Sequence, residues 1–408
     1  MLSVFGLNLR HLSVALAVRE CGSISAASQS VNLSQPAITQ ALAKLEQESG
    51  HVLFVRHARG VVPTEEGDLF LTRAEAAIGL IREAVSHIRR AARLPPILRV
   101  ERIVTMTQLR ALAEVERAGS YSLAGRRLGL SQPSLHRAAS ESELVLGMPL
   151  LALQGRTVHA TTAGERLVRA IRLAAAELQA GIDDLQALTR AGAGLIRIGT
   201  LSLPAASLLP TALARFGRSH PEASVTIMQG NYEELLAALR DGDIDLLLGA
   251  LRDPVPVNDV KQQPLFVDDL SIACAASHPL AGSIMPDRRE LARYPWVISE
   301  RGAPMRASFE ALFQGAPDRP TTCVEAASIL MARALLLEDN WLSLMSHDHF
   351  RIEQQAGLLA TVGPPLPASH LNMGVTTRTD WRPTTTQAAM LAALRDVAAE
   401  RGGRIRPG

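Results

Sequence analysis

Along the first ninety positions, apolar residues recur at helical spacing, broken by capping and turn residues. Leu9, Leu12, Leu16 and Val18 give a first helix one apolar face, and Ser23 caps a second that ends near Val31. Asn32 suits a tight turn, Ser34 caps a third helix, and Pro36 falls in its first turn, where a missing N–H costs nothing. Ala37, Ile38, Ala41, Leu42 and Leu45 form the inward side of that helix and Gly50 ends it. Residues 53–55 and 60–62 then read as a short hairpin, and Thr64 with Glu65 and Glu66 begins a long helix.

The same pattern returns 97 residues later, without gaps over residues 9–94. Gly22 and Ser23 fall on Gly119 and Ser120, Ala27 on Ala124, Gly50 on Gly147, Thr64 on Thr161 and Gly67 on Gly164, and the run LSQP occurs at 33–36 and again at 130–133. Glycines, caps and apolar positions kept together over such a span mark a duplication. In each long helix the apolar residues are spaced three and four apart: Leu71, Ala74, Ile78, Ile81, Val85 and Ile88, then Val168, Ile171, Ala175, Leu178, Ile182 and Leu185. Such a seam fits a coiled coil between chains, which predicts a protein at least dimeric, or else packing of each helix on its own domain. Leu94, Pro95 and Pro96 separate the copies.

Helix, helix, turn, helix and wing in this order form a DNA-binding architecture if the third helix reaches a groove. The segment 9–67, with GSISAAS, LSQPAITQALAKLE and VLFVRHARGVVPTEEG, resembles the winged helix-turn-helix of LysR-type transcriptional regulators. That resemblance implies DNA contacts at Ser34, Gln35, Pro36, Thr39, Gln40 and Lys44, with Arg56 and Arg59 at the wing; in the second copy it points to Ser131, Gln132, His136 and Arg137. The family often has arginine where Gln40 stands. The second copy is degenerate: Ala139 stands on Leu42, Ser142 on Leu45, Leu151 on Phe54, Leu153 on Arg56 and Glu141 on Lys44. A looser core and an anion towards the phosphates favour an architectural role for it, while Arg126, Arg127 and Arg137 favour a second DNA reader.

Beyond a small, glycine-containing hinge at 189–194, strands alternate with helices: strands at 195–200, 223–229 and 244–249 enclose helices at 208–217 and 231–242. Further strands are predicted at 262–266, 270–275, 296–299, 341–345 and 371–377, and helices at 303–313, 325–337 and 384–400. The runs IRIGT, LLPTALARF, HPEASVTIMQG and ELLAALRDGDIDLLLG resemble the type-2 periplasmic-binding-protein fold that LysR-type regulators use as a sensor. The expected fold is therefore multidomain: winged helices at 9–67 and 106–164, linker helices at 68–94 and 165–190, and an α/β effector-binding domain at 195–400. By the resemblance, subdomain I holds 195–267 and 368–400 and subdomain II holds 268–367. Ligands in open α/β sheets sit beyond the carboxyl ends of the strands. That rule selects Thr200, Leu201 and Ser202; Gln229 and Gly230; Ser299 and Arg301; Ser346 and His347; and Thr376. Strand-end hydroxyls also serve as helix caps, so each residue has two readings. Helix N-termini and Arg301 favour a small anion. Where Ala303 opens a helix the family often has serine or threonine, so an effector contact is missing or moved there.

Composition narrows the function class. Net charge is +2, nearly all cations are arginines, and no apolar run is long enough to span a membrane. Three distant cysteines, Cys21, Cys274 and Cys323, and the lack of a signal-peptide pattern point to the cytoplasm. No nucleophile elbow, P-loop, zinc spacing or nicotinamide fingerprint occurs, so no enzyme, metal or cofactor is expected; His347, Asp348 and His349 read as a solvated helix start. The resemblance implies an effector-controlled regulator, a homodimer or homotetramer, with a double-stranded DNA operator, a small-molecule effector and RNA polymerase as partners. The alternative is a cytoplasmic small-molecule-binding protein whose helical half serves oligomerisation.

Overall fold

Side-chain caps set where the helices of the first repeat begin. In the computed structural model, which describes residues 4–58, 60–189, 193–201, 208–284, 286–316, 318–326, 328–366 and 369–400, helices α1 (Leu9–Cys21), α2 (Ile24–Val31) and α3 (Gln35–Ser49) open on Asn8, Ser23 and Ser34. Each cap accepts a hydrogen bond from an N–H of the first turn. The hairpin of β1 (Phe54–His57) and β2 (Gly60–Pro63) leads into the long helix α4 (Glu65–Ala91), capped by Thr64. The second repeat follows as α5 (Met106–Ala118), α6 (Tyr121–Leu128), α7 (Gln132–Leu146), the hairpin of β3 (Leu151–Gln154) and β4 (Thr157–Ala160), and α8 (Thr162–Thr189).

The two copies share their internal joints. Glu46 accepts from the N–H groups of Leu53 and Phe54 at 2.9 and 3.1 Å; Glu143 does the same for Leu150 and Leu151 at 2.8 and 3.0 Å. Both carboxylates tie the end of the recognition helix to the wing. A Cβ on Gly67 would lie 2.0 Å from the Leu53 carbonyl, and one on Gly164 would lie 1.9 Å from that of Leu150, so only glycine lets the long helix approach the wing. The degenerate core positions close up as well. Ala139 and Ser142 are fully buried, and the Ser142 hydroxyl donates to Ala138 O at 3.0 Å, within its own helix.

The seam residues of α4 and α8 pack against each other inside one chain, as parts of one buried core. Near the start of α4, Phe70 and Arg73 lie against Gly181 near the end of α8; further on, Leu80, Glu83, Ala84 and His87 share a groove with Arg166, Arg169, Ala170 and Leu173. The helices therefore run antiparallel. Of the two readings of the seams, packing within the chain is the one seen here, with the partner stripe coming from the other copy: each seam hides the other from water.

After α8 the chain builds a mixed sheet with the strand order β10-β9-β11-β8-β13-β7-β5-β6 among the described residues. Strands β5 (Gly194–Thr200), β6 (Ala223–Gln229) and β7 (Leu246–Ala250) are parallel, and helices α9 (Leu208–Ser219) and α10 (Tyr232–Asp241) lie between them in sequence. The two strands expected at 262–266 and 270–275 form one continuous strand, β8 (Val260–Ala275). The chain then passes through α11 (Arg288–Leu291), β9 (Trp296–Ile298), α12 (Pro304–Leu312), β10 (Cys323–Glu325), α13 (Ile329–Glu338), β11 (Leu342–Ser346), α14 (His347–Gln355) and β12 (Leu359–Val362) before it returns along β13 (His370–Arg378) and ends on α15 (Thr385–Glu400). The first part of β8 pairs with β13, and its last six residues pair with β11 and β12. One long strand thus crosses from one subdomain to the other at Asp268 to Leu270, and β13 returns beside it.

Candidate nucleic-acid interface and ligand cleft

The outer face of α3 carries Gln35, Pro36, Gln40 and Lys44 exposed and Thr39 half-buried, while Ile38, Ala41, Leu42 and Leu45 face the core. Ser34 is exposed as the cap. The Lys44 ammonium lies 3.9 Å from Glu48, a loose pair on the surface that a phosphate could replace. Arg56 is exposed on β1, and Arg59 lies outside the described residues. On α7, Ser131, Gln132, His136 and Arg137 are all exposed, and His136 lies against the Tyr121 ring at 5.1 Å. Glu141 accepts from the Gln108 side chain at 3.1 Å, which holds that anion to one side. The sequence reading overlooked Arg156, exposed at the second wing; shifting Arg59 by the repeat length finds it.

The larger cleft of the sensor, about 700 Å³, opens where the subdomains meet. Its walls are Ala250 to Asp253 beyond β7, Arg301 to Ala303 with Arg306, Ala307 and Glu310 at the start of α12, and His370 to Asn372 at the start of β13. The Arg252 guanidinium lies over the Tyr232 ring, 4.6 Å from its centroid. Arg306 donates to Glu310 at 2.9 Å, Glu325 at 3.0 Å and Ser299 O at 3.3 Å, and His370 Nδ1 sits against Asp269. Ala303, the cap of α12, supplies no side-chain acceptor; Pro304 has no N–H, and the N–H groups of Arg306 and Ala307 donate to Ala303 O at 3.0 and 3.4 Å.

Of the residues selected by the strand-end rule, Arg301 lines this cleft. Thr200 is buried with its hydroxyl on Leu201 O, and Leu201 packs on Gly249; Ser202 lies outside the described residues. Gln229 pairs with Thr200 at the end of the edge strand and Gly230 follows it, but neither is among the lining residues. Ser299 is not among the lining residues; its carbonyl accepts from Arg306 at 3.3 Å, and it lines a smaller cavity inside subdomain II. Ser346 is buried, donates to Asp268 and caps α14; the exposed His347 lies against Phe350. Thr376 is misplaced. Strand β13 runs antiparallel to β7, with Met373 opposite Ala250 and Thr376 opposite Leu247, so its amino end and not its carboxyl end reaches the cleft.

Two displaced groups lie near the crossing strands. Burial pushes the Asp268 carboxyl up to about 6, although the bond from Ser346 works against it. His349, expected in a solvated helix start, is buried beside Arg333 and is held down to about 4, by burial first and the arginine second. Among the described residues no group of side chains could hold a metal ion, and no helix is long and apolar enough to cross a membrane.

The family model for the LysR substrate binding domain matches residues 189–399, and that for the bacterial regulatory helix-turn-helix protein of the lysR family matches twice, at 9–68 and 106–165. The chain belongs to the LysR family. It is a LysR-type transcriptional regulator with an effector-binding domain and a duplicated winged helix-turn-helix. It is similar to the HTH-type transcriptional regulator GalR of Pseudomonas putida, 28% identical over 398 residues that cover 96% of this chain and 98% of the relative. The alignment therefore runs through both repeats. The HTH-type transcriptional regulator PcaQ of Agrobacterium fabrum is 26% identical over 304 residues, 74% of this chain but 97% of the relative, a length that fits one repeat. In fold, the chain is similar to a full-length OxyR variant from Pseudomonas aeruginosa, with a TM-score of 0.54, 20% identity, and coverage of 75% of this chain and 99% of that one. It is likewise similar to CbnR, a LysR family transcriptional regulator, with a TM-score of 0.50, 23% identity, and coverage of 71% and 98%.

Proposed function

We propose that the chain binds operator DNA through the outer faces of α3 and α7, under the control of a small anionic effector in the cleft between the subdomains. The cleft carries the reading: Arg252 comes from one subdomain, Arg301 and Arg306 from the other, and α12 opens towards it without a side-chain cap. Guanidinium groups drawn from both walls suit a carboxylate or similar anion. A ligand that touches both walls stabilises the closed arrangement by contacts the open one lacks. On the DNA side, Gln35, Gln40, Gln132 and Arg137 offer base-reading groups, Thr39 and His136 sit beside them, and Ser34, Pro36 and Ser131 lie where the helices enter a groove. Lys44 and Arg56 are exposed cations that can meet phosphates, and the resemblance gives Arg59 the same role.

Native mass spectrometry of the purified chain tests the effector reading. A small acid retained by the intact chain and lost from Arg301→Ala supports it; a neutral molecule retained equally by both overturns the anionic part. For DNA, Thr39→Ala with Gln40→Ala should weaken protection of sites that the intact chain footprints. Unchanged footprints would remove α3 from the interface.

A further inference from the structure

Each repeat begins with a short 3-10 turn, Val4–Gly6 in the first and Val100–Arg102 in the second, close to counterparts under the repeat offset. Neither turn packs on its own copy alone. The first lies against α5 and α8 of the second copy, where the Arg110 guanidinium stands 5.2 Å from the centroid of the Phe5 ring. The second lies against α1 and α4 of the first copy. There the buried Glu101 accepts from Arg82 at 2.7 and 3.0 Å and from Ser13 at 3.4 Å, and Arg102 O accepts from Arg10 at 2.9 Å. Arg110 and Ser13 are themselves counterparts. The arms are thus exchanged reciprocally, the relation that a twofold axis imposes on two subunits.

The long helices obey the same axis. Antiparallel pairing that sets Phe70 against Gly181 and His87 near Arg166 centres the crossing close to Ile78 and Ala175, which are counterparts as well. Both observations are independent of the DNA-facing side chains. A single chain therefore builds what a symmetric dimer builds from two, with covalently fixed halves that are free to differ.

We infer that one chain alone spans a pair of DNA half-sites, and that these half-sites are unlike in sequence, so that the chain sits on its duplex in one orientation. The inference rests on the DNA reading proposed above and adds to it the form of the target. Under the axis Gln40 and Arg137 occupy equivalent places, both exposed, as do Thr39 and His136. Glutamine pairs through two bonds with adenine and arginine with guanine, so the halves differ at the base pair these residues face. Identical subunits read identical half-sites; this pair of readers is not identical.

Selection of duplexes from a randomised library by the full-length chain, followed by the mass of the complex on the minimal enriched duplex, tests this. The expected motif has two unlike halves at a fixed spacing, with one chain for each pair of halves. Duplexes rebuilt with the same half twice should bind about tenfold more weakly. Thr39→Ala with Gln40→Ala should relax selection in one half only, and His136→Ala with Arg137→Ala in the other; all four side chains lie on the helix surface, and an unchanged circular dichroism spectrum keeps the readout a matter of recognition. A motif of two identical halves, or relaxation of the same half by both variants, overturns the inference while the DNA reading stands. Failure to enrich any sequence overturns both.

Discussion

The two winged-helix copies share one frame and differ on the face they present. Glu46 and Glu143 make the same pair of bonds to the wing, Thr64 and Thr161 cap the long helices, and Gly67 and Gly164 are pressed on the same carbonyl. On the outer side Thr39, Gln40 and Lys44 have His136, Arg137 and Glu141 as their counterparts. The joints are buried or half-buried and have few chemical solutions, whereas an exposed position tolerates any residue that its partner accepts. The core changes in the second copy also cost less than they suggest on paper, because Ser142 bonds within its own helix and Leu135 and Ala139 stay buried.

Four measurements break or sharpen this comparison. The largest effect is expected where the symmetry fails. Arg73 of α4 bonds to Glu177 and Asp184 of α8 and to the Arg382 carbonyl of the sensor, whereas its counterpart is Ala170. Burial raises the Asp184 carboxyl, although Arg73 opposes the shift. Arg73→Ala would strand the buried Asp184 and leave the half-buried Glu177 with Arg382 at 3.7 Å, and should cost about 3 kcal/mol in chemical denaturation; a cost near zero would mean that the sensor is not anchored there. Next, Leu45→Ala should cost about 3 kcal/mol and Ser142→Ala under about 1, since both sites are fully buried but only the first substitution opens a large cavity. Equal costs would contradict the closed core of the second copy. Gly67→Ala and Gly164→Ala should each cost about 2–3 kcal/mol, and alike, because the same carbonyl is in the way. A clear difference between them would show that the frames are not equivalent.

The smallest effects separate the copies from the sensor, where the groups with strongly displaced ionisation lie. His349 contributes stability that is present above its ordinary value of 6.5 and is lost as pH falls towards about 4. Asp268 works the other way: its contribution is present below 3.8 and is lost as pH rises through about 6. Between pH 7.5 and 5 these trends largely offset. His349→Phe should therefore gain roughly 1 kcal/mol on acidification, and Asp268→Asn should lose about 2, in calorimetry of the sensor transition. The same sign in both variants would rule out these two groups as the source.

Local patterns in the sequence determined a good deal by themselves. Helix starts at Ser23, Ser34, Ser120 and Ser131, the hairpins, the repeat and the parallel strands all depend on neighbours within a few residues or on one period, and each formed where the chain alone places it. An exposed recognition face follows from the same arithmetic, because the inward positions of α3 are known once its period is. Tertiary structure decided the rest. An apolar seam shows that a helix needs a partner but not which one, so the pairing of α4 with α8 in one chain became visible only with the fold. The direction of β13 placed Thr376 away from the cleft and brought His370 and Asn372 to it. Arg252, Arg301 and Arg306 meet there from two segments on opposite walls, and Arg73 meets Asp184 across more than a hundred residues. Such contacts carry no local signal, because their energy comes from burial and charge pairing that exist only after the chain has closed on itself.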